Sequence, residues 1–279
     1  MKKHYSLFLA GSFMLAFSAC DTTKQTTNET SATPNAAETV AQQPVNEVME
    51  QGGLKVYAFD DSPKFAEAAM RVAAPVGGGS VAAGPVNFQY EITNFKLTDM
   101  TSHDHSKEMA NSHQGQHIHN IIDNEPYTAH YETSFTKDVK EGNHVVLSFL
   151  SRSYHESLKH KSAYDLRTFS VGQPKEANNF DVSGQHMFYS RPKGEYTGED
   201  TKKIMLDFYL VNTDLSPEGN KVRATINGNE FMLNRWLPYS IEGLPMGETK
   251  IKLELLDNAG NVIPGPYNTV ERTITLKEA

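Results

Sequence analysis

From residue 54 onward, apolar and polar residues alternate with a period of two. VNFQYEITNF sets Val86, Phe88, Tyr90 and Ile92 on one side, and IMLDFYLVN does the same with Ile204, Leu206, Phe208 and Leu210. IKLELLD opposes Ile251, Leu253 and Leu255 to Lys252 and Glu254. Successive side chains of a strand point to opposite faces, so this spacing predicts short, half-buried antiparallel strands separated by turns. Helical periodicity is sparse: PKFAEAAMRVAA reads either as one short helix or, from Met70, as a first strand. Residues 21–53 show neither pattern. Thr, Asn, Gln, Ala and Glu dominate and aromatic residues are absent, so the segment buries too little apolar surface to offset its ordering entropy and reads as a disordered tether.

The strand pattern occurs twice. MRVAAPVGGG…GPVNFQYEITNFKL aligns with MFYSRPKGE…KKIMLDFYLVNTDL, placing Pro75 on Pro192, Tyr90 on Phe208 and Asn94 on Asn212. HIHNIIDNEPYTAHYETSF aligns with KVRATINGNEFMLNRWLPYS, with Tyr127 on Phe231 and, further on, Gly142 on Gly247. Each copy has about 100 residues and roughly seven strands, the size of an immunoglobulin-like or fibronectin-like sandwich. The expected fold is therefore all-β, two tandem antiparallel sandwiches over 54–172 and 185–279, with 173–184 as linker. SRPKGEYTGED (190–200) reads as a solvated connection, and Trp236 as a buried anchor of the second copy.

The first twenty residues change the picture of where the chain works. MKKHYS carries two lysines, LFLAGSFMLAF is an apolar run too short to span a bilayer, and FSAC puts small Ser18 and Ala19 before Cys20. This resembles a bacterial lipoprotein signal, which implies cleavage before Cys20, lipidation of Cys20 and anchoring at the outer membrane or a periplasm-facing membrane surface. Cys20 is the only cysteine, so no internal disulfide forms and a blue-copper site, which needs a Cys ligand, is excluded. The net charge of −8 becomes −10 once Lys2 and Lys3 are removed. With no basic cluster against that balance, nucleic acid is not an expected partner.

The candidate chemistry lies in the histidines. Nine of the eleven fall between 103 and 160. From Asn94 to His117 is 23 positions, against 9 from Asn212 to Lys221, so the first copy carries an insertion, and it holds His103, His105 and His113 with Met100 and Met109. In HIH, Ile118 aligns with core-facing Val222, so His117 and His119 point away from their own core, about 6.6–6.8 Å apart along the strand. A turn at 123–126 pairs His119 with His130 and brings a third imidazole to that face. The loop SRSYHESLKHKSAY after the HVVLSFL strand lies at the same end of a sandwich and adds His155; His144, at the start of that strand, belongs at the other end. Neutral imidazole is the common ligand of zinc and copper, so the expected metal ligands are His117, His119, His130, His155 and His113. Met100 or Met109 would favour Cu(I).

GQHIHNIIDN resembles the HxH strand of copper-zinc superoxide dismutases, which implies copper ligation by His117 and His119; Gln116 and Ile122 depart from that pattern. HIHNIIDNE is similar to the first half of a cupin motif, but Gly142 and His144 do not supply the second half. Residues 54–279 are similar in architecture to exported bacterial lipoproteins with tandem immunoglobulin-like domains. No nucleophile–base–acid arrangement is present, and GGG at 77–79 lacks the flanks of a phosphate loop. The expectation is a non-enzymatic envelope lipoprotein whose first sandwich binds copper or zinc. The alternative is an adhesion or interaction protein with an envelope protein as partner.

Overall fold

The structure is a computed structural model that describes residues 47–279. The signal segment, Cys20 and most of the tether lie outside the described residues.

Sixteen of the strands form two matched sandwiches. The first contains β3 (Ala69–Ala74), β4 (Ser80–Val81), β5 (Pro85–Thr93), β6 (His117–Ile122), β7 (Thr128–His130), β8 (Ser134–Asp138), β9 (Gly142–Ser151) and β10 (Tyr164–Val171). They make sheets β3-β5-β8 and β4-β10-β9-β6-β7. The second contains β11 (His186–Arg191), β12 (Glu195–Thr197), β13 (Ile204–Val211), β14 (Lys221–Ile226), β15 (Asn229–Leu233), β16 (Tyr239–Glu242), β17 (Gly247–Leu256) and β18 (Thr269–Lys277). Its sheets, β11-β13-β16 and β12-β18-β17-β14-β15, repeat the order. This is the strand order of immunoglobulin-like and fibronectin type III sandwiches. The repeat extends to the backbone. The ladder shifts register between Val72 and Ala74 and again between Tyr189 and Arg191. Asn94 and Asn212 both turn the chain at φ 55°, and each donates its side-chain amide to backbone carbonyls.

Segment 69–74 is a strand, which resolves the helix-or-strand ambiguity. Two other expectations change. LKVYA forms β2 (Leu54–Ala58), which pairs with β16 of the second sandwich, and β1 (Met49–Gln51) pairs with β2. Leu54, Val56 and Ala58 are buried in the second sandwich's core. An alternating strand with one apolar face needs a free sheet edge, and β16 offers it; residues 49–58 thus belong with 186–277 in the sheet, and 49–53 are not tether. The 190–200 stretch is not a solvated connection either: Ser190 and Arg191 are buried, and Tyr196 of β12 packs into the core.

The two sandwiches stack face to face. β6 is buried throughout, as are the last eight residues of β9 and all of β13. Ile118, Ile122, Val146 and Leu150 fill the first sandwich. Their neighbours Ile121, Val145, Leu147 and Phe149 join Tyr127, Phe188, Tyr209 and Val211 in a third core between the sandwiches. Burying side chains of this size contributes roughly 1.5–3 kcal/mol each, so this shared apolar layer stabilises the stacking. Trp236 is half-buried there, edge-on to Tyr209 and donating Nε1–H to the Phe208 carbonyl. The corresponding outer face of the second sandwich is polar: Arg223 and Lys252 pair with Glu254.

Candidate metal centre

β6 begins where a loop is pinned on both sides. Thr98 N–H donates to the Gln116 carbonyl and Gln116 N–H to the Asp99 carbonyl, both at 2.8 Å. Gly115 sits between them at φ 82°, and a Cβ there would lie 2.3 Å from the Thr98 carbonyl oxygen. Only glycine fits. Its own carbonyl oxygen is 2.7 Å from Nδ1 of His117. A carbonyl only accepts, so Nδ1 carries the proton and the Nε2 lone pair of His117 is free.

That lone pair faces the Nε2 of His119 at 2.9 Å and the Nδ1 of His155 at 3.0 Å. His155 arrives from the loop after β9. Arg152 anchors that loop by pairing with Glu156 at 2.9 Å and donating to the Pro63 carbonyl. His155 itself has φ 69°, a left-handed conformation that costs a non-glycine residue on the order of 1–3 kcal/mol. Holding an imidazole at that position, where Gly or Asn would be unstrained, points to a use for the ring.

His117 and His119 are fully buried and His155 is partly buried. Burial lowers the pKa of His117 to about 4. It holds His119 and His155 well below the ordinary histidine range, with the neighbouring imidazoles and the Arg191 and Lys193 cations adding to the effect. All three rings are therefore neutral at pH 7. Metal–nitrogen bonds of 2.0–2.1 Å in a tetrahedron set nitrogens about 3.3 Å apart, so contacts of 2.9 and 3.0 Å fit three ligands of one ion. Around them, the ring of Tyr127 stacks on His119 at 3.6 Å with a 10° interplanar angle. Its Oη lies 3.2 Å from His155 Nδ1 and accepts a bond from Arg191 Nη1 at 3.2 Å. Burial pushes the Tyr127 phenol up, with Arg191 opposing. Ser190 Oγ lies 3.4 Å from His119 Nδ1.

The structure thus brings together His117, His119 and His155 of the five expected ligands. His130 is not one of them. It pairs with Ile118, and His119 pairs with Ala129, a register one residue away from the expected one. Residues opposite each other share a face, so His130 points into the first sandwich, stacked on Phe135, and burial lowers its pKa to about 4. The same shift puts Tyr127 on the face of His119; by register its counterpart in the second sandwich is Glu230, opposite Thr225, not Phe231. His113 lies exposed in the loop before Gly115, apart from the cluster. The thioethers are elsewhere as well: Met100 is exposed, and Met109 packs with Phe59, Tyr154 and Met205. His144 sits against Asp123 and the Lys140 carbonyl, at 2.6 and 2.7 Å.

A second group went unforeseen. Asp61 Oδ1 is 2.8 Å from His105 Nε2, with His103 Nε2 3.9 Å from Oδ2. The HDH spacing was visible in the sequence; Asp61, far upstream, carried no signal.

No family model matches the chain, and no curated protein matches it. Among solved structures it is similar to the fibronectin(III)-like modules of Clostridium thermocellum CbhA, at 10% identity over 75% of this chain and 94% of that one, TM-score 0.27. Bacteroides ovatus SGBP-B, in complex with a mixed-linkage heptasaccharide, matches at 11% identity over 74% of this chain and 47% of that one, TM-score 0.23. The two fibronectin type III domain segment of chicken tenascin matches at 9% identity over 77% and 99%, TM-score 0.21. Scores this low carry no argument about function. The fibronectin-like assignment stands on the strand order.

Proposed function

We propose that this tandem sandwich is a non-catalytic metal-binding module of the cell envelope, holding one copper or zinc ion through His117, His119 and His155. The observation that carries the reading is the convergence of three neutral ring nitrogens, with His119 Nε2 and His155 Nδ1 at 2.9 and 3.0 Å from the bare Nε2 of His117. Hydrogen bonding of His117 Nδ1 to a backbone carbonyl is the outer support that metal-bound histidines usually have. The basic, apolar, small-residue leader ending at Cys20 supports export and lipid anchoring.

Calorimetric titration of tag-free protein with cupric and zinc ions tests this. His117→Ala with His119→Ala should lower the affinity at least about tenfold; an unchanged affinity would reject the site.

A second reading draws on the architecture. Two fibronectin-like sandwiches with a half-exposed charged face on β14 and β17 suit an adhesion or interaction module, in which the histidines only pack the joint. It would be favoured if the wild-type protein took up neither ion while the same double variant lost thermal stability.

A further inference from the structure

We propose that Tyr127 Oη is a fourth donor at this centre, binding as phenolate, so that the ion it holds is cupric. The inference rests on the metal-binding reading above and adds a ligand and an oxidation state to it. Three observations carry it.

The first is geometric. The contacts His119–His117, His117–His155 and His155–Tyr127 measure 2.9, 3.0 and 3.2 Å, a continuous run of edges close to the roughly 3.3 Å of a tetrahedron with bonds of 2.0–2.1 Å. Tyr127 is buried, and its ring is clamped on His119 from one side with Lys193 Nζ 4.0 Å from its centroid. Its oxygen is therefore fixed beside the three nitrogens.

The second is a shortage of acceptors. His117 offers one in-plane lone pair at Nε2, because its Nδ1 proton is held by Gly115. Both His119 Nε2 and His155 Nδ1 approach that single lone pair, and Arg191 donates to Tyr127 Oη. Hydrogen bonds alone leave this set unmatched. A cation that accepts a lone pair from each of the four atoms matches it.

The third is charge. Three neutral imidazoles bring no negative charge, and the Arg191 guanidinium and Lys193 ammonium lie against Tyr127, at its Oη and at its ring. A dication on the histidines alone would face these cations in a buried, weakly screened place. As the Cu–O bond forms, the phenol O–H breaks and its proton leaves to solvent, so the ligand set gains one negative charge next to the Arg191 and Lys193 cations. Cuprous ion prefers thioether donors, but Met100 is exposed and Met109 is packed with Phe59, Tyr154 and Met205.

The test is to load tag-free full-length protein with cupric ion and record its visible absorption and affinity beside those of Tyr127→Phe, which keeps the stacked ring. The expected result is a phenolate-to-copper charge-transfer band in the wild type that Tyr127→Phe lacks, with the variant still binding copper about tenfold or more weakly. Equal spectra and affinities in the two proteins would overturn the proposal while leaving the three-histidine site intact. Absence of cupric binding by the wild type would overturn both.

Discussion

Arg191 of the second sandwich donates from Nη1 to Oη of Tyr127 in the first, 3.2 Å away. Both residues are buried, and the ring of Tyr127 lies flat on His119. One hydrogen bond therefore joins the layer between the sandwiches to the histidine cluster, and disturbing either should be felt by the other. Arg191→Met removes the donor and leaves a buried phenol without it, a change worth about 1–3 kcal/mol. The urea midpoint of the metal-free protein should fall accordingly. A midpoint equal to wild type would mean that the bond carries no net stability.

The register of β7 makes a negative prediction. His130→Ala and His113→Ala should each bind cupric or zinc ion within about twofold of wild type, whereas His155→Ala should lose about tenfold or more. A large loss on His130→Ala alone would contradict the observed pairing of His130 with Ile118.

Acid should weaken the fold. His117 and His130 are lowered to about 4, and His119 and His155 lie well below their ordinary value. In the unfolded chain each titrates near 6.5, so between about 6.5 and 4 the unfolded state binds more protons and stability rises with pH. The contribution of these groups is complete above about pH 6.5 and is lost as the pH falls toward 4. Melting temperatures of the metal-free protein should drop from pH 7.5 to 5, and less steeply in His130→Gln. Saturation with metal should shift the drop to lower pH, because the ion competes with protons for the ring nitrogens.

The loop that delivers His155 is tied to the second sandwich by a second contact. Lys159 pairs with the fully buried Asp207 of β13 and also reaches Ser157 Oγ at 2.6 Å. Removing one partner of a buried pair strands the other, so Asp207→Ala should cost about 3–5 kcal/mol. Its guanidinium-chloride midpoint measures this directly. Lys159→Met with Asp207→Leu should recover part of the loss.

How far the sequence could be read depended on which neighbours a pattern reports. Period-two alternation places residues relative to their own core, so the strands, the duplication and the shared face of His117 and His119 followed from Ile118 and Val222. It does not say what covers the other face. A hint was present: in HVVLSFL, Val145, Leu147 and Phe149 are as apolar as Val146 and Leu150, the mark of a strand buried on both sides. The turn was harder. Asp123 and Asn124 both adopt positive φ, 52° and 56°, and that choice of turn set the register that removed His130 and brought in Tyr127. His155 was found because loops at one end of a sandwich converge, but its own left-handed backbone left no trace in residue type. Asp61 and the crossing of 54–58 to the second sandwich depend on contacts between distant segments, and no local spacing reports those.

The pairing of β2 with β16 has a mechanical consequence. Tension applied to the chain ahead of Met49 enters the fold through β1 and then β2, which is hydrogen-bonded to β16 of the second sandwich, and the last strand, β18, belongs to that sandwich as well. A pull between the two ends of the described chain is borne by the second sandwich. The histidine-bearing sandwich, inserted in sequence between β2 and β11, stays off the line of force until β2 is stripped from its neighbour.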